Sequence, residues 1–160
     1  MWLEIIVNSC AWLAIQVALI FIANCIPRRL FAVRAQVWER NGRTYELLGI
    51  RRWKDKLPEA GARFGNGFSK RNLRGRGRGE LVRFAREARR GELVHWCAIA
   101  ALPLFALWNT PLGMLVNAIY SVAANFPCII VQRYNRARIV HLLKVGAGYK
   151  TQTLLVRSRT

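Results

Sequence analysis

Three long apolar runs organise this chain: Leu3–Ile26, Leu93–Trp108 and Leu112–Val131. The first has 24 residues and one charged group, Glu4, near its beginning. At about 1.5 Å per residue it is long enough to cross a hydrocarbon core of about 30 Å with some tilt. The second has 16 residues and is interrupted by Pro103, which places it at the short end of what spans a bilayer. The third has 20 residues and contains Asn117, Ser121, Asn125 and Pro127. Asn117, Ser121 and Asn125 fall at i, i+4 and i+8, so a helix gathers them into one polar stripe. A short turn at Trp108-Asn109-Thr110-Pro111 joins the last two runs and predicts a helical hairpin, spanning or, as the alternative, re-entrant. Inside a membrane such a stripe faces other helices or a hydrated cavity. Interhelical hydrogen bonding and a substrate groove explain it equally well.

Between the first and second runs lie 65 residues, 27–91, whose pattern is different. Phe31, Val33, Val37, Trp38, Tyr45, Leu47, Leu48, Ile50, Trp53, Phe64 and Phe68 are interleaved with basic residues, as suits a small subdomain lying on anionic headgroups. The RGRGRG run Arg74–Gly79 reads as a flexible loop. From Glu80 onward, Leu81, Phe84, Ala85 and Ala88 fall at i, i+3, i+4 and i+7, predicting an amphipathic helix that runs into the second apolar run. The fold class is therefore an all-α integral membrane protein with about three transmembrane helices, the last two a tight hairpin, plus a basic, partly helical cytoplasmic region. Its parts are an N-terminal helix (1–26), the basic interfacial region (27–91), the hairpin (92–132) and a basic tail (133–160).

Charge sharpens this picture. Of 26 Lys and Arg residues, 19 lie in 27–91 and the other 7 follow Val131. With 6 acidic residues, the 27–91 region has a net charge of +13. Three passages place both basic stretches on one side, which the positive-inside bias makes the cytoplasm, with the N-terminus outside a multi-pass plasma-membrane protein. A secretory signal peptide carries its positive charge before the apolar core, whereas here the charge follows it. The same topology accounts for the overall +18, so nucleic acid is not an expected partner, and membrane lipids are. Cys10, Cys25, Cys97 and Cys128 all lie in apolar runs and read as free buried thiols. No Cys/His spacing suits a metal, and no cofactor is implied.

The sharpest candidate chemistry is at Glu87–Trp96. On a helix, Glu92 and His95 are i, i+3 neighbours, with Glu87 a further turn back. A carboxylate that orients an imidazole lets it take a proton from an attacking hydroxyl. The competing reading is an interfacial ion pair that anchors the helix. Gln132-Arg133-Tyr134-Asn135-Arg136 follows the third run, and Arg133 and Arg136 at i, i+3 fit a phosphate or headgroup. Arg51-Arg52-Trp53-Lys54 suits an interfacial loop gripping phosphate, and equally a generic headgroup contact. The HxxxxD box, the GxSxG elbow and the Walker loop are missing, and His141 stands alone in the tail.

ELVHW (Glu92–Trp96), Asn125-Phe126-Pro127, IIVQRYN (Ile129–Asn135) and RRWKDKLPEAG (Arg51–Gly61) resemble the glycosyl-4,4'-diaponeurosporenoate acyltransferase family over about Ile26–Leu143. Ala137 departs from the proline of that family. The resemblance implies transfer of a fatty acyl group to a sugar hydroxyl of a glycosylated terpenoid or carotenoid-like lipid. The donor would be an activated acyl group such as acyl-CoA as co-substrate, and the acceptor a lipid-linked sugar. His95, oriented by Glu92 and Glu87, would be the general base. Arg51, Arg52, Lys54, Arg133 and Arg136 would hold the anionic donor, and Asn117, Ser121 and Asn125 would line the chain groove and donate to an oxyanion. The alternative is a non-catalytic membrane scaffold that binds anionic lipid or a biosynthetic partner. Homo-oligomers are compatible with either reading.

Overall fold

A computed structural model describes the protein over residues 2–57 and 77–157, with side chains through residue 146, and all regular structure there is helical. The first apolar run forms α1, Trp2–Cys25, of 24 residues. It is apolar all round, and only Trp12 and Ala23 are buried against the rest of the protein. Leu3, Ile6, Leu13, Phe21 and Ile22 are left outward. A helix hydrophobic on every face belongs in an apolar surrounding.

The basic region folds into a cap of short turns. A 3-10 turn, Arg28–Leu30, leads through an extended stretch into a second 3-10 segment, Val37–Gly42, then α2 (Arg43–Glu46) and α3 (Ile50–Trp53). The second segment starts with a reciprocal cap between Gln36 and Glu39, in which the Gln36 backbone N–H donates to Glu39 Oε2 at 2.6 Å. It ends in three successive left-handed residues, Arg40 (φ 43°), Asn41 (φ 61°) and Gly42 (φ 97°). A Cβ on Gly42 would stand 3.0 Å from Arg138 Cγ and 3.2 Å from the Tyr134 ring, so glycine permits both the backbone angle and the close approach to the next helix. Tyr45 and Ile50 of the cap pack with Val131 and Tyr134 in one core, flanked by Trp53 and Leu57.

The amphipathic pattern from Glu80 becomes α4, Arg78–Ala100, with Phe84, Ala85, Ala88, Glu92 and Ala98 on its buried side. A 3-10 segment, Leu102–Leu107, with Pro103 in its first turn, prolongs it. The short second run is the far end of a longer element: Arg78–Leu107 is one helical rod of 30 residues whose first half is charged. The third run becomes α5, Pro111–Arg157, of 47 residues. Pro127 lies inside α5 without ending it, and the helix continues through 132/133 into the basic tail, so the expected hairpin-to-tail boundary falls mid-helix. The α4–α5 contact is the most extensive in the fold, and the cap seats on α5. Ala85, Ala88 and Ala98 allow α4 to approach closely, and Phe84 and Ala85 pack on Ile139. Among the described residues, Trp2–Cys25, Arg78–Leu107 and Pro111–Gly146 are long and apolar enough to cross a membrane.

The end of the bundle away from the cap is closed by amides and rings. Asn8 Nδ2 donates to Asn109 Oδ1 at 2.8 Å, Asn109 Nδ2 donates back to Asn8 Oδ1 at 2.9 Å, and Trp108 Nε1 donates to Asn8 Oδ1 at 2.8 Å. Trp12 stacks on Phe105 with ring centroids 4.4 Å apart. The expectation of buried thiols is corrected. Cys10 and Cys25 lie on outward faces of α1, and Cys97 and Cys128 are half-buried, because the residues facing neighbouring helices are others. Of the RGRGRG run, residues 74–76 lie outside the described residues with Phe64 and Phe68, while Arg78 and Gly79 already belong to α4.

Candidate active site

The helical periods of α4 and α5 put two polar layers between these helices. The deeper one joins His95 of α4 to the stripe of α5. Asn125 is buried, and its Nδ2 donates to the Ser121 carbonyl at 2.9 Å. That contact turns its Oδ1 toward His95 Nδ1, 2.9 Å away. An amide oxygen only accepts, so His95 Nδ1 carries the proton and donates, and the neutral ring then has its lone pair on Nε2. Asn117, a further two turns along, accepts from Trp12 Nε1 at 2.9 Å and donates to the Gly113 carbonyl at 2.9 Å. Ser121 is fully buried between them, and its Oγ has no hydrogen-bond partner among the described residues. The stripe therefore faces helices rather than lying open. One amide N–H of Asn117 and one of Asn125 are engaged by the Gly113 and Ser121 backbone carbonyls.

The second layer, about one turn nearer the cap on α4, centres on Glu92, whose side chain has no solvent exposure. Arg133 Nε donates to its Oε1 at 2.7 Å, Arg136 Nη1 binds Oε2, and Arg89 Nη1 stands 3.0 Å from Oε2. Burial would be costly for a lone carboxylate and is offset here by three guanidinium groups. The i, i+3 spacing of Arg133 and Arg136 does put them on one face, but that face meets a carboxylate. Arg136 is 4% exposed and also donates from Nε to the Arg34 carbonyl at 2.9 Å. Its Nη2 lies 3.8 Å from Glu39, so one buried guanidinium links α4, α5 and the cap. Arg133 also sits over the Trp96 ring, 5.9 Å from its centroid.

The pairing expected between Glu92 and His95 is thus replaced. Glu92 engages arginines, and the residue holding His95 Nδ1 is Asn125. Glu87 turns to Arg28 and to Arg90, the latter at 2.5 Å. The expected five-residue basic patch is divided, since Arg136 is buried and Arg133 half-buried, both paired with Glu92. Arg51 is outside and donates to Glu46 at 2.6 Å, Lys54 pairs with Asp55 at 2.6 Å, and Arg52 is exposed. Trp53 is half-buried, its Nε1 donating to the Leu48 carbonyl at 3.0 Å. Tyr134 is fully buried, with its hydroxyl 3.5 Å from Glu46 Oε1. Gln132 packs over Gly91, where a Cβ would meet its Nε2 at 2.9 Å, and Asn135 is buried.

Sequence reasoning missed Glu39, Tyr45 and Arg89. Tyr45 donates its hydroxyl to Glu39 Oε1 at 2.7 Å, and burial, with the carboxylate beside it, pushes the phenol well above its ordinary value. A Gln-x-x-Glu capping pattern at Gln36–Glu39 and the i, i+3 spacing of Arg89 and Glu92 were the available signals.

Comparison with known proteins places these residues in a family context. The profile of a family described as glycosyl-4,4'-diaponeurosporenoate acyltransferase matches residues 27–145, which include both polar layers. A protein of that name from Staphylococcus aureus strain USA300 is 31% identical over 144 residues, covering 86% of each chain. Its counterpart from strain N315 is 29% identical over 143 residues, again covering 86% of each. No solved structure matches this chain.

Proposed function

This chain belongs to the glycosyl-4,4'-diaponeurosporenoate acyltransferase family, and we propose that it moves a fatty acyl group from acyl-CoA to a sugar hydroxyl of a glycosylated carotenoid-like lipid. The reaction takes place at the cytoplasmic side of the plasma membrane. Its three apolar helices cross the bilayer, with the N-terminus outside. The outward Leu, Ile and Phe side chains of α1 meet acyl chains, and the basic cap meets anionic headgroups on the cytoplasmic face.

The observation that carries the mechanism is the chain from the Ser121 carbonyl through Asn125 to His95 Nδ1. By fixing the Nδ1–H tautomer it gives Nε2 the character of a general base. Nε2 takes the proton of the sugar hydroxyl as its oxygen attacks the thioester carbonyl. The C–O bond forms, the C–S bond breaks, and the departing thiolate takes the proton from the imidazolium. The products are an ester and a free thiol, and His95 returns to its starting state. Asn125 is a positioning residue. Glu92 holds Arg133 and Arg136 and so fixes α4 and α5 at the register that brings His95 to Asn125. A positively charged guanidinium layer beside the site also favours the negative charge that develops on the carbonyl oxygen.

The test is lipid mass spectrometry of a host supplying acceptor and acyl-CoA, with wild type beside His95→Ala at equal abundance. A new acylated glycolipid with wild type and its loss with His95→Ala are expected. Retained product in the variant would remove His95 from the chemistry, and no product with wild type would favour the scaffold.

A further inference from the structure

The cap carries a groove of about 1000 Å³ that neither polar layer uses. Trp38, Arg40, Arg43, Thr44, Arg51 and His141 are among its walls. We infer that this groove holds the nucleotide head of the acyl donor, a site separate from Arg133 and Arg136 at Glu92; the inference rests on the acyl-transfer reading above.

Four observations support it. Three arginines converge on one depression, and guanidinium groups bind phosphate oxygens bidentately. Glu46, the acidic residue in the wall, is already engaged by Arg51 through two hydrogen bonds, at 3.1 and 2.6 Å, which orient that guanidinium. Second, Arg40 holds a left-handed backbone (φ 43°), a conformation that arginine seldom adopts and that persists where surrounding structure imposes it. Here the close seat of Gly42 on Arg138 and Tyr134, and the Thr44 hydroxyl donating to the Trp38 carbonyl at 2.6 Å, hold the turn. Third, the Trp38 ring is half exposed yet is positioned by an edge contact with Tyr45, centroids 5.8 Å apart. An exposed, fixed aromatic face beside phosphate-binding groups is what a purine ring stacks on.

The fourth is distance. His141 in the groove and Asn125 at His95 are both on α5 and 16 positions apart, roughly 24 Å along the helix axis. A phospholipid carries its ester carbonyls close to its phosphate and cannot bridge that gap from the groove. A diphosphate and an extended pantetheine arm together span a distance of that order, so a thioester donor can keep its nucleotide in the groove while its carbonyl approaches His95.

The experiment is titration calorimetry on the full-length protein in detergent, with coenzyme A as the probe. Arg40→Ala/Arg43→Ala, Trp38→Ala and His95→Ala are compared with wild type after their melting temperatures are matched. Loss of two charge-assisted contacts should weaken coenzyme A binding about 10- to 100-fold, with a smaller loss for Trp38→Ala, while His95→Ala binds as wild type does. Equal binding by the double arginine variant would overturn the site. So would a wild type that ignores coenzyme A but loses binding to phosphatidylglycerol vesicles in that variant, since the groove would then belong to headgroups. If coenzyme A binds through the arginines but no acyl transfer occurs, the site stands and the acyl-transfer reading fails.

Discussion

Replacing Glu92 with Gln removes one charge while nearly preserving shape, and the buried layer makes its consequence large. In the native protein the carboxylate has no exposure and faces Arg89, Arg133 and Arg136. Glutamine leaves the buried Arg136 with a neutral amide oxygen, the Arg34 carbonyl and Glu39 at 3.8 Å, and puts an amide NH2 against the guanidinium groups. Breaking a buried pair from one side typically costs about 3–5 kcal/mol, because the remaining charge stays desolvated. Arg133, whose side chain is 30% exposed, can relax outward and adds less. For a chain of this size the loss corresponds to a fall in melting temperature of roughly 6–20 °C. The assay is thermal unfolding of the purified protein in one detergent, with Arg89→Ala as the internal comparison. Arg89 is 45% exposed, so its removal should cost no more than about 1 kcal/mol. Glu92→Met combined with Arg136→Met should recover part of the loss, since the most buried guanidinium goes with its carboxylate, while Arg133 can turn to solvent and Glu39 keeps its bonds from Tyr45 and the Gln36 N–H. A Glu92→Gln protein that melts with wild type, or together with Arg89→Ala, would refute the claim that this layer holds the helices to the cap.

Further predictions follow from the same contacts. Asn125→Leu should lower kcat by roughly 10- to 100-fold, the worth of about 1–3 kcal/mol for the bond that fixes the imidazole tautomer, with little change in acceptor KM; steady-state kinetics would show it, and an unchanged kcat would remove Asn125 from the mechanism. Gly42→Ala should destabilise the protein by about 1–2 kcal/mol, because alanine meets Arg138 and Tyr134 at φ 97°; denaturant unfolding measures this. Gly91→Ala should be close to neutral, since a mobile Gln132 amide can move and alanine favours the helix by about 1 kcal/mol, whereas Gly91→Leu should separate α4 from α5 and cost more; paired melting curves distinguish them.

The helices of this protein were legible because their signals are long and local. The apolar run of α1, the i, i+3, i+4 pattern around Phe84 and the polar stripe Asn117/Ser121/Asn125 each reappear as helix or helix face. The continuation of α5 past residue 132 into the basic tail was not legible, because the hydropathy pattern stops at Val131 while the helix does not. Partner choice at the site was legible only in part. Spacing placed Arg133 and Arg136 on one face and Glu92 near His95, but it cannot say which of several charges across a helix interface will meet. Glu92 met arginines from a helix some forty residues away, and His95 met Asn125. Glu39 and Tyr45 went unnoticed because their importance comes from burial beneath the cap, which no period of two or four residues encodes.

The uninterrupted run of α5 has a consequence for how chain length can vary. In order along its axis it bonds Trp12 at Asn117, His95 at Asn125, Glu92 at Arg133 and Arg136, and it reaches the cap groove at His141. It therefore acts as a ruler on which every mark must keep both height and angle. One residue inserted after Asn125 would swing all later marks by about 100° and lift them about 1.5 Å, turning Arg133 and Arg136 away from Glu92 together. Seven residues would return them close to their original bearing but about 10 Å too far along. Neither change has a loop to absorb it, so homologous chains should gain and lose residues in the cap, or beyond His141, and keep the interval from Asn117 to His141 constant.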